Sequence, residues 1–403
     1  MRRRRAKWKE QFEGLPEYLD LKLGAVGWLG DTLAECEGKR LFVFGGLPGE
    51  EVCVEVVRRL PGRSLARVVE VKTPSPHRIN PVCPCFGECT GCQWQHIRYE
   101  YQLEIKRRIV REALETGGDI PDVEILPVVP SPEEFGYRNH ARFTVKRDGA
   151  LGFVNRNTRR FLRIDKCLLM CPGINQILSH LQGHCGETTQ LSIRYGINTG
   201  DWLIQPAMKS ENVPVESGQK SYEEDLMGRR FRISSPSFFQ VNTRQAERMA
   251  ELVQERLGLT GEELLVDAYA GVGTFAVLLA PFSGRVIAIE ESSAANEDAR
   301  ANIQGLPNVE LVEARTEAVL GALPQTPDVL ILDPPRAGCR PEALEALIER
   351  PPKRIIYISC DPGALARDLK VLVDGAFVVE EILPVDLFPQ THHVECLATL
   401  SAV

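Results

Sequence analysis

The chain has 403 residues, 12 cysteines and a formal net charge of −7. That length exceeds one ordinary core and implies two or three domains. No apolar run approaches the ~20 residues of a membrane span, and the acidic balance excludes a uniformly basic nucleic-acid coat, although not a local basic face.

The N-terminus reads Met1-Arg2-Arg3-Arg4-Arg5-Ala6-Lys7-Trp8-Lys9. No apolar segment follows this basic start, so it does not read as a signal peptide. Residues 1–16 are expected to be a basic tail, either solvated or seeking phosphates, on a cytoplasmic protein. From about Leu21 to about Val71, short alternating segments broken by glycine fit the strands of a small OB-like β-barrel, placed at residues 17–75. Pro74, Pro76 and Pro81 mark a linker. A mainly β central domain, residues 76–229, is expected next. It opens on Cys83-Pro84-Cys85-Phe86-Gly87-Glu88-Cys89-Thr90-Gly91-Cys92. Clustered cysteines in a reducing compartment signal metal or redox chemistry more often than disulfides. The C-x5-C-x2-C set, with Cys85 extra, differs from the paired C-x2-C of most zinc sites.

An amphipathic helix is predicted over residues 99–115. Leu103, Ile105, Ile109, Val110, Ala113 and Leu114 share one broad face, while Lys106, Arg107, Arg108, Arg111 and Glu112 fall mostly elsewhere. Strands and hairpins return from about Arg138 to Pro206, with turns at Arg147-Asp148-Gly149-Ala150 and Asn198-Thr199-Gly200-Asp201. The helical signal in this stretch is confined to about residues 174–181. Helix and strand then alternate through residues 230–403, the βαβ signature of a parallel sheet in an α/β, Rossmann-like domain.

Four strand ends of this last domain carry chemistry. Leu264-Leu265-Val266-Asp267-Ala268-Tyr269-Ala270-Gly271-Val272-Gly273-Thr274 reads as strand, glycine turn and helix start, where the backbone comes close to a ligand. The next strand ends at Glu290, at the distance that suits a grip on ribose hydroxyls. A third fingerprint glycine and a phosphate-binding lysine are both missing. NAD and ATP therefore fit poorly, and S-adenosylmethionine, a nucleoside without phosphates, fits better. Val329-Leu330-Ile331-Leu332 delivers Asp333-Pro334-Pro335-Arg336-Ala337-Gly338. Amino-group methyltransferases place a stacking aromatic where Arg336 stands, so the chemistry tilts toward a ring carbon. Ile355-Ile356-Tyr357-Ile358-Ser359-Cys360-Asp361-Pro362 ends a buried strand at a cysteine, where open α/β sheets keep their ligands. His392 and His393 are adjacent and do not both point at one ion from a strand, so a hydrogen-bonding role is expected of them.

The glycine turn, Asp-Pro-Pro-Arg-Ala-Gly, Ser-Cys-Asp-Pro and Pro389-Gln390-Thr391-His392-His393-Val394-Glu395, in this order, resemble the RNA uridine-5-methyltransferase family across nearly the whole chain. The resemblance implies a class I, S-adenosylmethionine-dependent methyltransferase acting on C5 of a uridine in RNA. Cys360 matches the nucleophile that adds to C6, and Glu395 the base that removes the C5 proton. Gln240, Tyr269, Thr274, Glu290 and Asp333 match cofactor-holding positions. Arg315 departs from the small polar residue usual at the adenine side. The cysteine loop resembles the 23S rRNA branch of the family, which implies a [4Fe–4S] cluster on Cys83, Cys89, Cys92 and Cys167, with Cys171 a near competitor for the fourth place. The N-terminal barrel resembles a TRAM module, an RNA binder. Tyr137-Arg138-Asn139-His140-Ala141-Arg142, with Arg147, Arg156, Arg159 and Arg160, forms a basic strip suited to RNA phosphates and stacked bases. A monomer acting on 23S rRNA is the expectation. The alternatives are a tRNA T-loop uridine methyltransferase, a non-catalytic RNA-binding assembly factor and an iron–sulfur electron carrier.

Overall fold

The computed structural model describes residues 15–403 other than 28, 61, 121, 157 and 211. The arginine run at residues 2–5, and with it most of the expected basic tail, lies outside the described residues. The chain divides into two compact units. The first holds the described residues up to Ile109 together with Phe153–Leu162 and Gln390–His392, and the second holds the rest.

In the first unit, β1 (Tyr18–Lys22), β2 (Thr32–Cys36), β3 (Lys39–Phe44), β4 (Glu51–Leu60) and β5 (Arg63–Thr73) form a sheet in the order β1-β4-β5-β3-β2. β3 and β5 run parallel, whereas the other neighbours are antiparallel. Beyond β1 the chain turns onto β2, with Gly24 N donating to Leu33 O at 2.7 Å and Leu33 N to Ala25 O at 2.8 Å. Val52, Val54 and Val56 alternate inward on β4 and pack with Leu23, Leu41 and Val43, so period-2 patterning builds this core. A second small core gathers Trp94, Ile97, Ile105 and Ile109. The last two lie on a helix, Tyr99–Ala113, that runs on as a π-helical turn, Leu114–Gly118. Lys106 departs from the expected polar face. It is buried, with its ammonium 5.8 Å from the Trp94 ring centroid, a placement that cation–π attraction favours.

In the second unit, β6 (His140–Val145) turns into β7 (Leu151–Val154) through a hairpin in which Gly149 sits at φ +79°. A Cβ on Gly149 would stand 2.4 Å from the Gly183 backbone, so only glycine fits there. The short β8 (Phe161–Arg163) lies mostly in the first unit; the helix Pro172–Leu181 follows in the second, and then β9 (Gln190–Tyr195) and β10 (Trp202–Gln205). β9 pairs antiparallel with both β6 and β10. β11 (Ser221–Leu226) and β12 (Arg229–Ser234) make a separate hairpin.

The remainder is a seven-stranded sheet of β13 (Leu264–Ala268), β14 (Arg285–Glu290), β15 (Val309–Glu313), β16 (Val329–Leu332), β17 (Arg354–Ser359), β18 (Phe377–Val385) and β19 (Glu395–Ala402). Its order is β15-β14-β13-β16-β17-β19-β18. β13 to β17 are mutually parallel, and β19 runs antiparallel between β17 and β18. β13, β16 and nearly all of β17 are buried, as contiguous apolar strands covered on both faces must be. One face packs on the helix Thr243–Leu257 through Met249, Ala250 and Val253, and the other on Leu344, Leu347, Leu365 and Leu369. This is a mixed α/β fold of the class I methyltransferase kind. Among the described residues no helix is long and apolar enough to cross a membrane.

Candidate active site

Parallel strands bring their carboxyl ends to one edge of the sheet. β13 delivers Tyr269 there, β14 ends on Glu290, β16 is followed by Asp333 and β17 by Cys360. Because β19 runs the opposite way, its first residue, Glu395, starts at the same edge. Ser359 lies opposite Cys396, so one further step of the register sets Cys360 opposite Glu395. A cysteine just after one strand and an acid at the start of its antiparallel neighbour thus come to the same edge, where the charge of Glu395 acts on the Cys360 thiol.

The electrostatics of this patch follow from burial. Glu395 is buried, and desolvation, reinforced by the charge of Asp333, holds its carboxyl well above the ordinary value. Desolvation also lifts Asp333 to about 7. The Cys360 thiol is pushed up to about 11, first by burial and then by the charges of Glu395 and Asp333, while Arg336 pulls it down. Desolvation and mutual repulsion disfavour ionising all three acids of this patch together, and an arriving cation favours their anions. Arg336 Nε also donates to Asp361 Oδ2 at 3.3 Å. Asp361 Oδ1 in turn accepts from Gly363 N and Ala364 N, capping the helix Pro362–Gly375 that begins just after Cys360.

This burial has a measurable cost in stability. A carboxyl whose folded pKa is raised penalises the native state once pH passes its unfolded value of about 4.3, and the penalty grows until the folded pKa is reached. The ligand-free Glu395→Gln variant is therefore expected to melt above the wild type at pH 8, with the gap closing as pH falls toward 4. Calorimetric scans at the two pH values check this, and a variant that melts lower at both would refute it.

The cofactor wall is built on the glycine turn. Tyr269, Gly271 and Gly273 all have positive φ, at +66°, +57° and +82°. Nothing lies within 4 Å of where a Gly271 Cβ would stand, so the turn opens onto free space. Gly271 N donates to Glu290 Oε2 at 2.9 Å, which ties the turn to the end of β14, and Ser292 N donates to the other oxygen, Oε1, at 2.7 Å. Asn302 Nδ2 holds Val272 O at 2.9 Å. Thr274, half-buried, opens the helix Thr274–Leu279. Two buried acceptors beside the turn have no hydrogen-bond partner, Asp267 Oδ1 and Asn296 Oδ1. Asp267 Oδ2 accepts from Ala276 N at 2.8 Å, and burial raises its pKa to about 7. A ligand with hydroxyl and amino donors and no phosphate suits these orphaned oxygens. Asp267 and Asn296 went unnoticed in the sequence, although Asp267 stands four residues before Gly271 on a strand where a buried acid has no structural reason to be.

Gln240 is half-buried, and its loop is anchored by residues that sequence reasoning missed or misread. Asn139 Nδ2 donates to Gln240 O at 3.0 Å and to Thr243 Oγ1 at 2.9 Å, and Asn139 N donates to Val241 O at 2.9 Å. Arg194 Nη1 donates to Ser234 O at 3.2 Å and Ser237 O at 2.7 Å. The buried Asp298 accepts from Ser234 N and from the hydroxyls of Ser234 and Ser237 at 2.6 to 2.8 Å.

Comparison with known proteins decides what this edge belongs to. Residues 223–403 match the family model described as tRNA (Uracil-5-)-methyltransferase. An uncharacterized RNA methyltransferase of Gloeobacter violaceus is 36% identical over 92% of this chain and 93% of its own length. Another, of Caldanaerobacter subterraneus, is 31% identical over 95% and 98%. The chain belongs to the RNA (uracil-5-)-methyltransferase family. The crystal structure of the Pyrococcus abyssi tRNA (uracil-54, C5)-methyltransferase in complex with S-adenosyl-L-homocysteine superposes with a TM-score of 0.74 at 27% identity, covering 95% of this chain and 100% of that one. As a member of this family the protein is an S-adenosylmethionine-dependent RNA methyltransferase.

Among the described residues no group of three or more His, Cys, Asp or Glu side chains stands together so as to hold a metal ion. The backbones and sulfurs of Cys83, Cys89, Cys92 and Cys167 take part in local hydrogen bonds. Gln95 Oε1 accepts from Cys83 N and Gln95 Nε2 donates to Cys92 Sγ, both at 3.1 Å, while Gly91 N donates to Cys89 Sγ at 3.4 Å. In the second unit, Asn175 Oδ1 accepts from Cys167 N at 2.9 Å and its Nδ2 donates to Cys167 O at 3.0 Å.

One correction concerns the basic strip. Tyr137, Asn139, Ala141 and Phe143 all point inward, and the Tyr137 hydroxyl donates to Pro389 O at 3.1 Å. Tyr137 is thus a core residue and offers no face for a base. Burial and the charges of Arg194, Arg138 and Arg142 keep His140 neutral, with its pKa pushed down to about 3. Arg142, Arg147, Arg159 and Arg160 remain exposed, whereas Arg156 lies over the Phe44 ring at 4.1 Å. Arg315, set aside in the sequence, stands 3.7 Å from Glu291 and 3.6 Å from Glu317 at the ends of β14 and β15.

Proposed function

We propose that this enzyme methylates C5 of a uridine in 23S rRNA, with Cys360 as nucleophile and Glu395 as base. The placement of Cys360 and Glu395 one step beyond the last β17–β19 pair, Ser359 with Cys396, carries the reading, together with the charge of Glu395 acting on the thiol. Uracil C5 is too weak a nucleophile to take a methyl group unaided. Cys360 Sγ adds to C6 as the thiolate, and the electron pair of the C5–C6 double bond moves toward C5 and O4. S-adenosylmethionine supplies an electrophilic methyl group on a sulfonium, which C5 takes as the carbon–sulfur bond breaks. Glu395 then accepts the C5 proton, the double bond re-forms and Cys360 leaves as thiolate. Arg336 steadies the thiolate, and a dry patch favours these charge shifts because nearby groups are already oriented. Gln240, Tyr269, Thr274, Glu290 and Asp333 hold the cofactor, and the target uridine must leave its stack to reach Cys360, at a cost of a few kcal/mol.

The sheet of residues 17–75 supplies RNA contact in this reading, since Arg40, Arg58, Arg59, Arg63 and Arg67 are exposed on it. Cys83, Cys89, Cys92 and Cys167 bind a [4Fe–4S] cluster. Their spacing supports this, as does the Gln95 amide already donating to Cys92 Sγ, the kind of contact that tunes cluster sulfurs. The Pyrococcus abyssi protein, named for a tRNA uracil, favours tRNA as the second reading.

One experiment covers both levels. Purified enzyme and S-adenosylmethionine are offered separately 23S rRNA and tRNA transcripts, 5-methyluridine is mapped by mass spectrometry, and iron and sulfide are assayed on the same preparation. Methylation of rRNA with about four iron and four sulfide per chain is expected. Methylation of tRNA alone overturns the substrate, and stoichiometric zinc without visible absorption overturns the cluster.

A further inference from the structure

A buried carboxylate on the helix Pro362–Gly375 joins the cofactor-side and nucleophile-side loops. Asp368 is about 1% exposed. Its Oδ2 accepts from Cys339 N at 2.7 Å and from the Tyr357 hydroxyl at 2.6 Å. Its Oδ1 accepts from Arg367 Nε at 2.8 Å and Nη2 at 2.7 Å. Arg367 Nη2 donates in addition to Ala337 O at 2.7 Å. The Cys339 thiol is near enough to the hydroxyls of Tyr357 and Tyr269 to be influenced by both. One chain of contacts therefore runs from Tyr269, after β13, through Cys339 and Tyr357 to Asp368 and back to Ala337.

The loop 333–339 is thus tied to one helix at two points. Its middle is held where Arg336 meets Asp361, at the start of the helix beside Cys360, and its end is held where Ala337 and Cys339 meet Arg367 and Asp368, two turns on. Gly338 lets the loop come this close. Its φ is +83°, and a Cβ there would stand 2.3 Å from Arg367 Nη2 and 2.4 Å from Asp368 Oδ2. A fully buried carboxylate that accepts four donors is stiff, because releasing any one of them leaves an unpaired polar group in the core. Neither its side chain nor that of Arg367 is used in the chemistry described above.

We propose that Asp368 is a positioning residue for methyl transfer: with Arg367, Tyr357 and Gly338 it fixes the loop bearing Asp333 and Arg336 against the helix that begins beside Cys360, so that cofactor and nucleophile share one rigid frame. The inference rests on the reading of Cys360 as nucleophile and Asp333 as a cofactor contact. Misplacement of such groups by about 1 Å is enough to cost on the order of a hundredfold in rate.

The test uses the full-length enzyme. Asp368→Asn keeps the shape but sets an amide NH2 against groups that donate. Three quantities are compared with the wild type at a temperature where circular dichroism shows both folded: kcat per folded molecule, the Kd of S-adenosyl-L-homocysteine by calorimetry, and the rate of covalent adduct formation with RNA carrying 5-fluorouridine, whose C5 has no proton to lose. The adduct rate and kcat are expected to fall tenfold or more and the Kd to rise severalfold, whereas a residue that only supports the fold would lower the melting temperature and leave all three within twofold. Gly338→Ala pushes the same loop from its other side and should reproduce the pattern. The double variant should be no worse than the weaker single by more than about twofold, and losses that multiply would show two independent effects and overturn the shared frame. If Asp368→Asn does not fold, Gly338→Ala and Tyr357→Phe decide, and normal turnover in both overturns the proposal. A Cys360→Ala enzyme that still methylates would mean that the underlying reading had failed. An inactive Cys360→Ala beside a normal Asp368→Asn would mean that only the positioning role had.

Discussion

Replacing Cys360 with alanine is expected to lower methyl transfer at least a thousandfold while S-adenosyl-L-homocysteine still binds within a few-fold of the wild-type affinity. A thousandfold is about 4 kcal/mol of transition-state stabilisation, a reasonable loss when a covalent route is removed and no other group can activate C5. Binding should survive because the cofactor wall belongs to different strand ends. The Gly271–Glu290 contact and the orphaned oxygens of Asp267 and Asn296 lie at β13 and β14, and nothing in them depends on the Cys360 sulfur. Rate and binding are measured together, by single-turnover transfer of a labelled methyl group and by calorimetry. Turnover above about a thousandth of wild type would exclude Cys360 as the nucleophile.

Much of this site was readable from the chain because parallel strands simplify it. Val329 to Leu332 and Ile355 to Ser359 are short continuous apolar runs, and in an open α/β sheet the residue after such a run faces the ligand edge. Asp333 and Cys360 were found that way. Glu395 was different. Its strand shows nothing to mark its first residue as catalytic, and only the antiparallel insertion of β19 between β17 and β18 places that residue opposite Cys360. Asp298 and Asn139 were illegible for a related reason: each is a buried polar group whose partners lie far off in sequence, as in the 61-residue separation between Ser237 and Asp298. The error at Tyr137 was avoidable. Tyr137, Asn139, Ala141 and Phe143 alternate with Arg138, His140 and Arg142, and the period of two marks the aromatic as an inward residue.

Glu395→Gln separates the two halves of the reaction. The amide keeps the size of the buried side chain and its place at the start of β19, but it cannot accept the C5 proton. Cys360 still adds to C6 and C5 still takes the methyl group, because neither step asks Glu395 to remove a proton from carbon. Elimination then stalls, since Cys360 can leave only as the C5 proton does. The enzyme is expected to accumulate as a methylated protein–RNA adduct, close to one per active site, that survives denaturing electrophoresis and carries label from the methyl group. The wild type, which resolves the same species each turnover, should show far less of it. Adding Cys360→Ala to Glu395→Gln should abolish the adduct, which shows that the trapped bond is to that sulfur. Desolvation favours the same outcome: a carboxyl held well above its ordinary pKa is a strong base once ionised, and no neighbour replaces it readily. Asp333 is the nearest rival, its pKa raised to about 7 by burial. Ordinary multiple turnover by Glu395→Gln without a trapped species would pass the role of base to Asp333, and Asp333→Asn should then be the variant that traps.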